Sequence, residues 1–160
     1  MPRELVFPTQ VVLGLVTWGL LARWFLAPRL AGLDRETALQ PLLAVQALRY
    51  IGLVFLAPAA TGSALAQTFA VPAALGTALA GILALIAIAA LRARAPFALA
   101  LVWIQTIEGL ADFANAFLQA RTAGVVSALG AAYYVPIVIV PAAIVSHVMI
   151  LGLLLRRGGR

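Results

Sequence analysis

The chain has no cysteine, which excludes disulfides, thiol nucleophiles, iron–sulfur clusters and thiolate-bound metals. It has no lysine either, since all 11 basic side chains are arginine. A retinal or pyridoxal Schiff base, which needs an amine, is therefore excluded. A single histidine, His147, means that a haem held by two histidines would need a second chain. Charge is scarce: 10% of residues are charged and only 5 are acidic, whereas a soluble domain carries about 25%. No Walker loop, G-x-G-x-x-G, H-E-x-x-H or G-x-S-x-G is present. No soluble portion is large enough for nucleotide or nucleic-acid binding.

What fills the 160 residues is apolar: 64% are hydrophobic and the mean hydropathy is +1.09. A soluble domain is about 45–50% apolar, and one of ~150 residues leaves roughly a third of its chain surface in water. This composition needs lipid as its solvent. The expected class is all-α, a polytopic transmembrane bundle of about five spans in one domain, residues 1–160. Punctuation by Arg, Pro and Gly places the spans at about 5–26, 41–57, 72–91, 96–119 and 131–155. The first run carries Arg23 and Trp24 and precedes no clean A-x-A site, so it reads as a span rather than a secretory signal.

The polar stretch after it should form a short surface helix capped by Asp34. The second run is short for a ~30 Å hydrocarbon core, which needs ~20 helical residues. Thr61, Gly62 and Ser63 mark a turn. The third run, nearly all Ala, Leu, Ile and Gly with Thr77 as its polar side chain, is expected at the periphery. Pro136 and Pro141 are expected to kink the last run and free carbonyls toward a cavity.

With five spans, Arg23, Arg29, Arg35, Arg92, Arg94, Arg156, Arg157 and Arg160 fall on one side, and Arg3 and Arg121 on the other. The positive-inside rule makes the C-terminus cytoplasmic and the N-terminus external. The Ala/Leu/Arg bias fits a GC-rich bacterial genome, hence a cell inner membrane.

The most informative pattern lies in the fourth run. Gln105, Glu108, Asp112, Asn115 and Gln119 follow a 3, 4, 3, 4 spacing, which puts them within about 80° on one helix face. Intramembrane ionisable groups are costly and face the bundle interior. Counting depth along each span brings Arg49, Glu108, His147 and Thr17 into one layer. The expected cluster is Glu108, Asp112 and His147 as candidate acid–base or ligand-binding groups. Arg49, Gln46, Tyr50, Gln105 and Asn115 are the candidate ligand-binding residues around them. Arg49 reaches toward Glu108, Tyr50 adds a hydroxyl, and Ser146 beside His147 adds little. Trp103 falls on the opposite side of its helix.

Such a set can bind the head of a small amphipathic ligand (a lipid, isoprenoid or quinone), perform acid–base chemistry on it, or relay protons. One histidine without a second ligand motif is not a metal site, and no cofactor is specified. In general layout, carboxylates, a histidine and aromatics in a small helical bundle are similar to membrane sterol isomerases of the emopamil-binding type, with no motif matched residue by residue. The expected function is ligand binding with proton-coupled chemistry. The alternative is a non-catalytic accessory subunit, in which the polar stripe is an inter-helix seam and Gly76, Ala80 and Gly81 form a packing face. The expected partners are the bilayer, an amphipathic ligand, and a membrane-complex subunit or a second copy; nucleic acid is not among them.

Overall fold

A long apolar run can satisfy its backbone N–H and C=O groups only within itself, which makes helix the default. A computed structural model describes residues 2–61, 65–122 and 124–156, and all regular structure among them is helical. Gly62, Ser63, Arg157 and Arg160 lie outside the described residues. Helix α1 (Arg3–Leu21) passes through a π-helical turn, Ala22–Leu26, into α2 (Ala27–Leu30). Pro28 has no N–H to return to the Trp24 carbonyl, and a widened turn accommodates that loss. Helix α3 (Arg35–Ala47) continues as a 3-10 stretch, Leu48–Leu56; α4 (Gln67–Arg92) and α5 (Ala98–Thr122) follow. A π-helical turn, Val135–Ile139, leads into α6 (Val140–Leu155).

Four segments are long and apolar enough to cross a membrane: Glu4–Leu30, Arg35–Leu56, Gln67–Arg92 and Gly130–Leu155. Helix α5 is as long as these at 25 residues but carries the polar stripe. The five segments alternate in direction. At one end Leu30, Leu39, Leu91, Ala98 and Leu154 pack together. At the other, Phe7, Phe55, Phe69, Val125 and Tyr133 do. Arg29, Arg92, Arg94 and Arg156 thus sit at the same end of the bundle.

Three expectations change. First, Asp34 does cap a helix, its carboxylate accepting the Thr37 N–H at 3.0 Å. That helix is not a separate surface element; it runs on through Pro41 into the second span. Thirteen α-helical and nine 3-10 residues reach about 37 Å at ~1.5 and ~2.0 Å per residue, so the second span is long enough.

Second, the small-residue segment is central. Ala70, Ala73, Ala74, Ala80, Gly81, Ala84 and Ala87 form the buried face of α4, which packs on α3, the 3-10 stretch and α5. Small side chains let helix backbones approach closely. A Cβ on Gly81 would lie 3.1 Å from the Ala47 carbonyl oxygen. The peripheral helix is α1, with 6% of its apolar window buried against 39% for α4.

Third, Pro141 leaves the Ile137 carbonyl without its helical donor, yet that oxygen does not face a cavity. It faces α1, where a Cβ on Gly14 would stand 2.6 Å from it.

Candidate functional site

The change from α to 3-10 winding comes at Leu48 and decides which side chains point inward. With about three residues per turn, Arg49 is buried at 2% exposure while its neighbours Leu48 and Tyr50 are 47% and 56% exposed. Tyr50, expected to add a hydroxyl to the cluster, therefore stands outside it.

Arg49 is the node. Its Nε donates to Thr77 Oγ1 at 3.3 Å on α4. One terminal nitrogen donates to the Gly109 carbonyl at 3.2 Å on α5 and meets His147 Nε2 at 3.3 Å on α6. The other forms an ion pair with Asp112 Oδ2 at 2.5 Å. Its guanidinium carbon lies 4.0 Å from the centroid of the Phe113 ring, and that ring meets His147 edge-on with centroids 5.8 Å apart. A buried charge is tolerable when it is paired and its donors are used.

The 3-10 stretch and α4, α5 and α6 converge on one side chain because two glycines make room. A Cβ on Gly109 would lie 2.6 Å from the Arg49 nitrogen and 2.7 Å from His147 Nε2. A Cβ on Gly76 would overlap the Asp112 carboxylate.

The partner of Arg49 is Asp112, not Glu108. Asp112 lies one turn beyond Glu108 on α5, where Gly76 of the facing helix gives its carboxylate space. Glu108 is half-buried and has no hydrogen-bond partner on its buried Oε2. Thr17 is exposed on α1 and does not join the layer.

One turn away from Arg49 on α3, Gln46 is fully buried and donates to the Ala143 carbonyl at 2.8 Å and to Ser146 Oγ at 3.2 Å. Ser146 donates in turn to the Leu42 carbonyl at 2.8 Å. Ser146 is thus a structural link between α3 and α6, more than the sequence allowed. The Gln46 amide nitrogen is committed to that link, and its Oε1 has no partner.

Gln105 is 0% exposed, and neither polar atom of its amide has a partner. Asn115 is exposed and accepts from Gln119 at 2.8 Å, so the outer half of the stripe lies apart from the node. Trp103 is 37% exposed on the outer side of α5, as its angular position implied.

The Arg49 contact assigns the His147 tautomer by hydrogen-bond logic. An arginine nitrogen only donates, so Nε2 must accept and the ring proton must sit on Nδ1. Nδ1 is buried and has no partner. The buried atoms left unpaired around the node are thus one N–H donor on His147, a full amide on Gln105, and single oxygens on Glu108 and Gln46. Helix α5 packs chiefly on α4 and only lightly on α6. Among the described residues no three His, Asp or Glu side chains are arranged to hold a metal ion.

Two surface recesses lie apart from the node. One, about 540 Å³, is at the arginine-rich end between Asp34, Glu36, Arg92 and Arg94. The other, about 120 Å³, is apolar and lies between α1, α3 and α6 beside Trp18, Leu42 and Met149.

Residues 6–155 match the family described as "Domain of unknown function (DUF8737)", and the chain belongs to it. No curated protein and no solved structure matches the chain.

Proposed function

We propose that this family member is a multi-pass protein of the bacterial inner membrane that binds the polar head of a small amphipathic ligand beside the Arg49 node. The observation that carries this reading is Gln105, fully buried on a membrane-length helix with both amide atoms unpaired. Such a group costs about 1–3 kcal/mol if nothing meets it, and His147 Nδ1 and Glu108 Oε2 add to that cost. A ligand head that meets these atoms offsets it.

The side chains divide by role. Arg49, Asp112 and Thr77 are already paired and act as the frame. Gln105, His147 and Glu108 have atoms to offer. Glu108 is the acid–base candidate, because it is outside the ion pair and half-buried with its Oε2 unpaired. The arginine-rich end faces the cytoplasm in this reading, by the positive-inside rule, with the N-terminus outside.

Native mass spectrometry after gentle extraction tests the proposal. A reproducible small-molecule adduct is expected on the wild-type chain, lost in Gln105→Leu and kept in Tyr50→Phe. A chain that carries no adduct in any preparation refutes the reading.

One observation favours a second reading. The Asn115–Gln119 pair sits on α5 with Asn115 exposed, and polar groups on membrane helices commonly hydrogen-bond a neighbouring helix. An accessory subunit in a larger complex, or a second copy, would cover that face. The chain would then leave the membrane only with another polypeptide and without an adduct.

A further inference from the structure

Building on the ligand-site reading above, we infer that the head group received beside the node is an uncharged oxygen acceptor, a ketone, quinone carbonyl or hydroxyl, taken by His147 Nδ1–H and the Gln105 amide. The argument is one of elimination among the charges present, then of matching what remains.

An anionic head needs a free cation. Arg49 is the one buried cation among the described residues, and four of its five N–H donors already have partners. Thr77, Gly109, His147 and Asp112 take its nitrogens, and Phe113 covers its face. Opening the Asp112 pair to admit another anion would strand a carboxylate in the bundle, which is strongly unfavourable.

A cationic head needs acceptors alone. The site instead offers the His147 Nδ1 proton, and a cation would leave that donor and the Gln105 Nε2 hydrogens unpaired. A neutral oxygen satisfies both donors. A hydroxyl can also donate onward to Gln105 Oε1 or Glu108 Oε2, each of which lacks a partner.

Placement supports the match. The His147 ring lies against α5 at Gly109, where a Cβ would come 2.9 Å from its Cε1. Gln105 is one turn, about 6 Å, below Gly109 on the same helix. Gln105 thus lies on the turn of α5 next to the one against which His147 packs. In a low-dielectric setting, hydrogen bonds to a neutral oxygen give orientation without the desolvation that a charged head would require.

Because the chain has one histidine, nitrogen NMR of [15N]histidine-labelled protein in micelles reads this site without an assignment step. The free protein is expected to show Nδ1 protonated and Nε2 unprotonated. Four probes share one chain length and differ in the head: 2-undecanone, undecylammonium, undecanoate and undecane. The ketone is expected to shift the Nδ1 resonance in a saturable way, and the other three are not. Gln105→Leu should weaken the ketone response at least tenfold while the tautomer stays as in wild type, which shows that the fold is intact. A proton on Nε2, or a saturable shift by either charged probe and not by the ketone, overturns the inference. A native adduct with a charged head also overturns it but leaves the ligand-site reading standing. No response to any head group together with no native adduct overturns both, and then buried water satisfies these atoms.

Discussion

Removing Arg49 should be the most destabilising single change in the bundle, and a double-mutant cycle with Asp112 can show why. Arg49 is 1% exposed and Asp112 6% in their side chains, so neither charge is screened by water. Arg49→Met leaves a buried carboxylate without its partner, a loss of about 3–5 kcal/mol. It also removes the contact with the Phe113 face, which contributes about 0.5–2 kcal/mol. Against a typical total of about 5–15 kcal/mol, the variant loses roughly a quarter of its stability or more. Asp112→Leu strands a guanidinium instead and should cost a similar amount.

The double variant Arg49→Met/Asp112→Leu removes both charges and fills the space with apolar groups, so it should be less destabilised than the sum of the singles by about 2–3 kcal/mol. Arg49→Lys should fall between wild type and Arg49→Met, since an ammonium keeps the charge but neither the fork nor the stacking plane. The assay is equilibrium unfolding in mixed micelles with rising dodecyl sulfate fraction, followed by tryptophan fluorescence. A loss below about 1 kcal/mol in Arg49→Met, or strictly additive singles, would refute the account of a buried, coupled pair.

Gly109→Ala should destabilise by about 1–3 kcal/mol, because its methyl would press Arg49 and His147 at 2.6 and 2.7 Å; the same unfolding assay reads it, and a neutral result would mean that the Arg49 and His147 side chains do not lie against Gly109. Arg94→Gly should raise stability by about 0.5–1 kcal/mol. Arg94 holds a left-handed φ of 52° in a helix end where the Ala95 N–H bonds the Ala90 carbonyl and the Arg94 N–H bonds that of Leu91, the position glycine usually takes. Hydrogen bonds from Thr37, from its side chain first and then its backbone N–H, hold the Asp34 carboxyl below its ordinary value of 3.8. A depressed carboxyl stabilises the folded form above its unfolded pKa and loses that contribution as pH falls through its folded pKa. The first turn of α3 should therefore fray below about pH 4, seen as faster amide exchange at Thr37 at acid pH, an acceleration that Asp34→Asn should lack.

The element pattern was legible because lipid leaves a backbone few choices. Long apolar runs broken by Arg and Pro had to be helices, and their ends follow those residues closely. What the runs did not reveal was which helix is central. Hydropathy ranks a segment by its affinity for lipid, and the Ala- and Gly-rich α4 scores as a lipid-facing rod. Packing ranks it by how near another backbone can come, and there the same small residues make it the core, against which Ala47 and Tyr50 of the second span rest at Gly81. The length of that second span was misjudged for a related reason. A 3-10 stretch leaves no hydrophobic period to read in so short a run, yet it lengthens the segment and also turns Arg49 inward and Tyr50 outward.

At the site, the 3, 4, 3, 4 stripe marked α5 as the polar helix, and depth put Arg49 and His147 in one layer with Glu108, one turn short of the Asp112 that Arg49 meets. It could not choose between Glu108 and Asp112 for the arginine, because that choice is made by a residue with no side chain. Gly76 on α4 leaves room for the Asp112 carboxylate, and Gly109 leaves room for the guanidinium and the imidazole. A glycine facing a polar residue on a neighbouring membrane helix was the available signal, and it had been read only as a packing motif. Once the glycines settle the arginine on Asp112, the remaining polarity has a direct consequence. Arg49 and Asp112 close on each other within the frame, and under the proposed ligand-site reading the atoms left unpaired on Gln105, His147 and Glu108 are the ones a head group would meet by hydrogen bonding.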